Sequence, residues 1–245
     1  MNMDHLRPVD IVLRPVELEA ADRIHSASHS PEPVEQRFLE ACRYYFPPDV
    51  YPEMIEALGF ARSLRSTDPN HPSMRAYFSH PLRVATFVLR LMKVPSRGAV
   101  TTGLIHNVFE VSGLSEDELI SAGFSKKIAD GIRLLTIDRA QQYEPKYLKD
   151  FYQRIERFGD ELVLVKCVDR LDNLLAFELL DKTPTHELYI DLSEQFVVPL
   201  AHKLAVDFGE YLERVIAYAR ASSANRDLQE QYQTFLAQSA ASPQN

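Results

Sequence analysis

Glycine is scarce, with 8 in 245 residues, and the apolar/polar alternation that marks half-buried strands is hard to find. Both scarcities count against a sheet, and the leading reading is an all-α chain. Two cysteines, Cys42 and Cys167, cannot build a disulfide framework. Cys167 lies in an apolar run and reads as a small core residue. There is no run of Lys and Arg, and the net charge is −8. Both argue against a general nucleic-acid or anionic-membrane surface. A small anionic substrate stays compatible with the charge, because a local pocket can be basic on an acidic protein. No apolar stretch approaches the ~20 residues that span a bilayer, and Met1 to Asp10 lack the basic-then-apolar form of a signal peptide. The expected setting is cytoplasmic.

What is present is helical periodicity. The hydrophobic and charged fractions, 45% and 25%, are those of an ordinary globular protein long enough to bury a sizeable core. Residues 1 to 33, punctuated by Pro8, Pro15, Pro31 and Pro33, read as an irregular or loosely docked arm. His25 and His29 have helical spacing there, but their polar setting makes them solvated side chains rather than a zinc site. Helices are expected over Val34 to Tyr45 and Pro52 to Leu64, followed by a turn-rich loop from Arg65 to Arg75. Leu82, Val84, Ala85, Val88, Leu89 and Met92 repeat at helical spacing, with Pro81 suited to the first turn. A central helix spans roughly Ala99 to Val111. Ser115 and Glu118 form a capping-box start, Ser125 caps the next helix, and Gly159 stops the helix from Tyr147 to Phe158. Glu161 to Leu180 is strongly apolar on several faces. Helices over Glu187 to Leu204 and Phe208 to Ala221 follow, then a polar one at 224 to 239.

Three apolar helices each carry a costly polar group. His80 stands at the start of one, His106 and Asn107 lie within the central helix, and Asp169 falls in the middle of the apolar stretch from Glu161. Buried polar groups need a partner, and two imidazoles with a carboxylate suit a borderline divalent ion with coordination positions left open. Asn107 offers an amide oxygen as a fourth ligand. Such an ion supplies hydroxide near neutral pH and polarises a phosphoryl oxygen. Glu110, four residues after His106, is placed to shuttle a proton. Arg65, Arg75, Lys166 and Arg170 flank these ligands as candidate phosphate contacts, and Asn173 lies one turn beyond Asp169 as a contact for sugar or base. The competing reading makes Lys166 and Arg170 structural partners of Glu110, Asp169 and Asp172.

The segment Tyr77-Phe78-Ser79-His80-Pro81-Leu82-Arg83-Val84-Ala85 resembles the first-histidine segment of the HD-domain metal-dependent phosphohydrolases. More narrowly, it resembles the hydrolase domains of the Rel/Spo alarmone enzymes and their small single-domain relatives. Leu104-Ile105-His106-Asn107-Val108-Phe109-Glu110 stands where that family has its His-Asp signature and acidic pair. Val165-Lys166-Cys167-Val168-Asp169-Arg170-Leu171-Asp172-Asn173 is similar to its last metal-ligand segment, and Val198 to Leu204 resembles a helix just downstream. The resemblance covers about residues 53 to 205. It implies an all-α HD-domain bundle with extra N- and C-terminal helices: an arm with a short helix over 1–50, a hydrolase-like domain over 51–205, and a packed extension over 206–245. It also implies hydrolysis of the 3′-pyrophosphate of guanosine tetra- or pentaphosphate, usually with Mn²⁺. His80, His106 and Asp169 match metal ligands, Glu110 the first of the catalytic acidic pair, and Asn173 the nucleotide-contacting asparagine. Arg65 or Arg75 takes the part of the family's basic loop residue.

Two departures bear on chemistry. Asn107 replaces the signature aspartate, and Val111 replaces the second acid of the pair. The first leaves one anionic ligand, so metal is held less tightly by a site whose ion is less neutralised. The second removes a proton carrier. Two functions therefore stand: an active hydrolase of a phosphorylated nucleotide, or a pseudo-enzyme that kept the scaffold as a nucleotide- or partner-binding module. Either is compatible with a homo-oligomer.

Overall fold

The computed structural model describes residues 5–65, 67, 77–179, 183–222 and 226–241. Among these residues the fold is all-α, with a single isolated bridge, Leu6 to Met92, and no strand. No helix among them is long and apolar enough to cross a membrane. Two helices sit at the centre. In α5 (Ser79–Leu91) only Thr86 and Arg90 escape full burial. In α11 (Asp160–Leu174) burial is continuous from Leu162 to Asp172. A helix that is apolar all round must be covered all round. Accordingly α5 packs against α3 (Glu32–Tyr45), α6 (Arg97–Ile105) and α11, while α11 also packs against α13 (Val198–Leu204) and α14 (Val206–Ala221).

One close approach decides where the polar groups meet. A Cβ added to Gly103 in α6 would lie 3.3 Å from Ala85 Cα and 3.4 Å from Ala85 N. Glycine thus lets the α6 backbone lie directly on α5, which brings the C-terminal end of α6 beside the first turn of α5.

The N-terminal fifty residues differ from the expected loose arm with one short helix. They form α1 (Val9–Val12), α2 (Val16–Ala27) and α3, and Val9, Ala20, Phe38 and Cys42 are fully buried. The prolines that suggest a broken chain instead open helices, since Pro8, Pro15 and Pro31 each occupy an N-cap. Proline costs nothing there, because its missing N–H has no intrahelical partner. Backbone bonds lash this segment to the end of α5: Arg7 N to Leu91 O at 2.7 Å and Lys93 N to His5 O at 2.8 Å. Val9 N also donates to Asp207 Oδ2 at 2.8 Å, and Tyr211 Oη donates to Arg14 O at 2.9 Å.

Other boundaries follow the caps. The α4 helix covers Tyr51–Ser63; α8 (Glu116–Ser121) has the Ser115–Glu118 capping box; Ser125 caps α9 (Lys126–Leu135); and Gly159, at φ 137°, closes α10 (Pro145–Phe158). The expected helix from 99 to 111 is two pieces, α6 and α7 (Val108–Val111), because Asn107 at φ −101°, ψ 12° opens the turn. The stretch expected to run to Leu180 leaves α-geometry after Leu174. Tighter bonds, Ala176 N to Asn173 O and Leu179 N to Ala176 O, form a 3₁₀ turn at Phe177–Leu179. The helix expected over 187 to 204 starts earlier, as α12 (Pro184–Phe196) capped by Thr183, and breaks before α13, where Pro199 has no N–H to continue the ladder. The last helix, α15, covers Arg226–Ala241.

Candidate metal centre

His80 projects from the first turn of α5, His106 follows the last residue of α6, and Asp169 sits mid-way along α11. All three are buried, and one ligand atom from each lies within 4.8 Å of the others. The two Nε2 atoms are 3.2 Å apart. Asp169 Oδ1 is 3.3 Å from His80 Nε2 and 3.4 Å from His106 Nε2.

The opposite ring nitrogens settle the tautomers. His80 Nδ1 is 2.9 Å from Asp172 Oδ2, and His106 Nδ1 is 2.8 Å from the Gly103 carbonyl. Burial favours a neutral Asp172, but Arg23 and Arg83 beside it, with the His80 hydrogen bond, hold the carboxyl far below the usual range. An ionised carboxylate and a carbonyl only accept, so both Nδ1 atoms carry hydrogen. In the neutral rings the Nε2 lone pairs then face each other and an acceptor oxygen. A proton relieves part of this opposition, and a divalent ion relieves all of it. A proton on His80 serves one such contact: although burial disfavours the imidazolium, the hydrogen bonds to Asp169 and Asp172 raise the His80 pKa. A divalent ion serves all three, and Nδ1–H groups tied to a carboxylate and a carbonyl are the usual anchoring of metal-bound imidazoles. The donor set therefore fits a divalent metal.

Asp169 is held from two sides. Lys166 Nζ lies 2.8 Å from Oδ2 and Asn173 Nδ2 donates to Oδ1 at 3.0 Å. Burial pushes its carboxyl upward, but the Lys166 charge and the histidine hydrogen bonds hold it well below its ordinary range. Lys166 and Asn173, both expected to meet substrate, are thus placed on a ligand carboxylate. Asn107 donates its amide N–H to Tyr77 Oη at 2.6 Å, a bond that does not use its amide oxygen. Glu110 belongs to α7 rather than to the His106 helix, so the expected shared face is absent. Its Oε1 accepts from Ile137 N at 3.3 Å, and Arg139 lies 3.9 Å from Oε2. Burial raises the Glu110 carboxyl above the usual range, with Lys166 opposing.

Arg170 faces a different set of neighbours. It donates to Tyr152 Oη at 2.8 Å and stacks 3.9 Å over the Tyr189 ring. Arg65 is exposed just beyond α4, and Arg75 lies outside the described residues. Asp172 carries more than the charge balance the sequence suggested. Its Oδ2 is 2.6 Å from Arg23 Nε and its Oδ1 is 2.7 Å from Arg83 Nε. The signal was present in part, since Arg83 lies one helical turn beyond His80, and Asp172 one turn beyond Asp169.

No protein-family model matches the chain, and no curated protein matches it. Among solved structures, one described as a metazoan ortholog of SpoT that hydrolyzes ppGpp and plays a role in starvation responses is similar in helix arrangement. Its TM-score is 0.49 at 18% identity, covering 74% of this chain and 94% of that one.

Proposed function

We propose that the protein is a metal-dependent phosphohydrolase acting on a small phosphorylated nucleotide. Mn²⁺ is the first ion to test, and the 3′-pyrophosphate of guanosine tetra- or pentaphosphate the first substrate. The observation that carries the reading is the convergence of two Nδ1-anchored histidines and one ionised aspartate on a single point. The resemblance of the segments around His80, His106 and Asp169 to HD-type hydrolases supplies the reaction class. Residues 51–205 form the hydrolase-like part in this proposal, with the flanking helices packed on it.

An ion held there supplies Lewis-acid activation of water and of a phosphoryl oxygen. The chain's own residues do the rest. Lys166 neutralises the outer oxygen of Asp169, Asn173 orients the inner one, and Glu110, whose carboxyl burial raises above the usual range, is the proposed proton carrier. Asn173, Lys166, Arg65, Arg75 and Arg170 remain the proposed basic and polar contacts of the nucleotide.

A second reading, a nucleotide- or partner-binding pseudo-enzyme, draws on Val111. That side chain is buried in the core where a second acid is expected. One experiment separates the two. Metal content of the purified protein is measured, and pyrophosphate and phosphate release is followed over a nucleotide panel, with His106→Ala as control. Release by wild type alone supports the hydrolase. Bound metal and nucleotide without release selects the binding module, and absence of both metal and nucleotide binding overturns both.

A further inference from the structure

A second cluster of arginines lies behind Asp172 and lines a cavity of about 570 Å³. It opens between α2, α3 and α5, and Arg14, Arg37, Arg83 and Arg90 contribute to its walls. Three of these guanidinium groups converge on one carboxylate. Asp22 receives Arg37 at 2.9 Å, Arg83 at 2.9 Å and Arg14 at 3.2 Å. Burial favours a neutral Asp22, yet Arg37 and Arg83 lower its pKa.

The charges do not balance. In the contiguous network Arg14, Arg23, Arg37 and Arg83 face Glu19, Asp22 and Asp172. Four cations thus meet three anions. Arg90 and Glu40 add one of each sign to the walls, with Arg90 donating to Val12 O and Glu40 accepting from Gln36. One buried guanidinium nitrogen of a wall residue, Arg83 Nη2, has no hydrogen-bond partner among the described residues. A buried cation without a full complement of acceptors is costly unless an anion supplies them.

We propose that this cavity is a second ligand site, separate from the candidate metal centre, which takes a small phosphate-bearing anion. Asp22 marks the point at which guanidinium forks from three directions already aim, since Arg14 precedes α2, Arg37 is on α3 and Arg83 on α5. A carboxylate is planar and singly charged. A phosphate offers acceptors in three dimensions and a second charge, which is the better match to several forks. The volume lies in the range of small-molecule sites. Tyr44, 81% exposed, stands on the wall and offers ring surface to a nucleoside portion.

Arg14 and Arg37 are half exposed, at 48% and 46%, so their replacement leaves the fold intact, as circular dichroism verifies. Calorimetric titration with pyrophosphate, in EDTA and at low ionic strength, is run on wild type, on the double variant Arg14→Ala, Arg37→Ala, and on His106→Ala. One site per chain is expected in wild type and in His106→Ala, weakened at least tenfold in the double variant. No binding by wild type overturns the proposal. So does binding that disappears in His106→Ala but persists in the double variant, because that anion sits at the candidate metal centre. A nucleoside triphosphate that binds more tightly than pyrophosphate assigns the Tyr44 ring a role. Equal affinities assign the site to the phosphate alone. Metal content is unaffected by the arginine changes, so failure here is distinguishable from failure of the hydrolase reading.

Discussion

His80 Nδ1 and Asp172 Oδ2 lie 2.9 Å apart, and the aspartate that makes this contact is itself gripped by Arg23 and Arg83. A ring on α5 is therefore oriented by a residue of α11, under the control of an arginine from α2. Asp172→Asn keeps the shape and removes the charge, leaving two buried guanidinium groups short of a counter-ion. A loss of about 3–5 kcal/mol is expected in chemical denaturation. Metal affinity should fall roughly 10–100-fold, the scale at which partners of metal-bound histidines act. A variant with wild-type stability and metal affinity would remove Asp172 from the site.

The same residue sets an acid limit. The Asp172 carboxyl, despite burial, is held low by Arg23, Arg83 and His80 in the folded state, and the unfolded value is roughly 3.9. A depressed folded pKa favours the ionised form, so its stabilisation is complete above the unfolded value and is lost as pH falls below it toward the folded one. Denaturation midpoints of wild type should drop as pH falls from about 4 toward 2. Asp172→Asn should show a shallower decline over that interval, and parallel curves would contradict the assignment.

Metal binding should track the ligand set. Mn²⁺ at about 100 times its dissociation constant should stabilise wild type by about 2.7 kcal/mol, and EDTA should reverse the gain. His106→Ala should show neither effect. Asn107→Asp adds an anionic ligand and should tighten Mn²⁺ by roughly tenfold or more, comparable with the effect of outer partners. Equal responses from all three proteins would place any ion elsewhere.

Both thiols should be silent in the native state. Burial pushes Cys42 and Cys167 up to about 12, and both are fully buried, so thiolate is scarce and reagent access is blocked. Ellman's reagent at pH 8 should titrate neither in native protein and both in denaturant. Fast labelling of either one without unfolding would show an opening that the packing does not contain.

The all-α fold and most helix ends were legible because their causes are local. Apolar spacing marks α5 and α11, and Ser115, Ser125 and Gly159 act within a turn of where they stand. The convergence of His80, His106 and Asp169 was legible through the expense of placing polar groups in apolar helices. What escaped has non-local causes. The Asp172 partners stand 149 and 89 residues away, in Arg23 and Arg83. The helices of the first fifty residues were hidden because proline reads as a breaker in sequence, whereas in the fold it marks helix starts. The turn at Asn107 that separates Glu110 from the His106 helix has no signature in a stretch whose apolar pattern runs on unbroken.

The contact of Gly103 with Ala85 gives the site a property that no ligand side chain controls. Chemistry at the centre is set by the imidazoles and carboxylates, but its aperture is set by how near two main chains can come. A methyl group at 103 acts as a shim. It would lift the α6 backbone off α5 and carry His106 outward with it, while every donor atom kept its identity and its tautomer. The spacing of the His80 and His106 rings is thereby lodged in a residue that has no side chain.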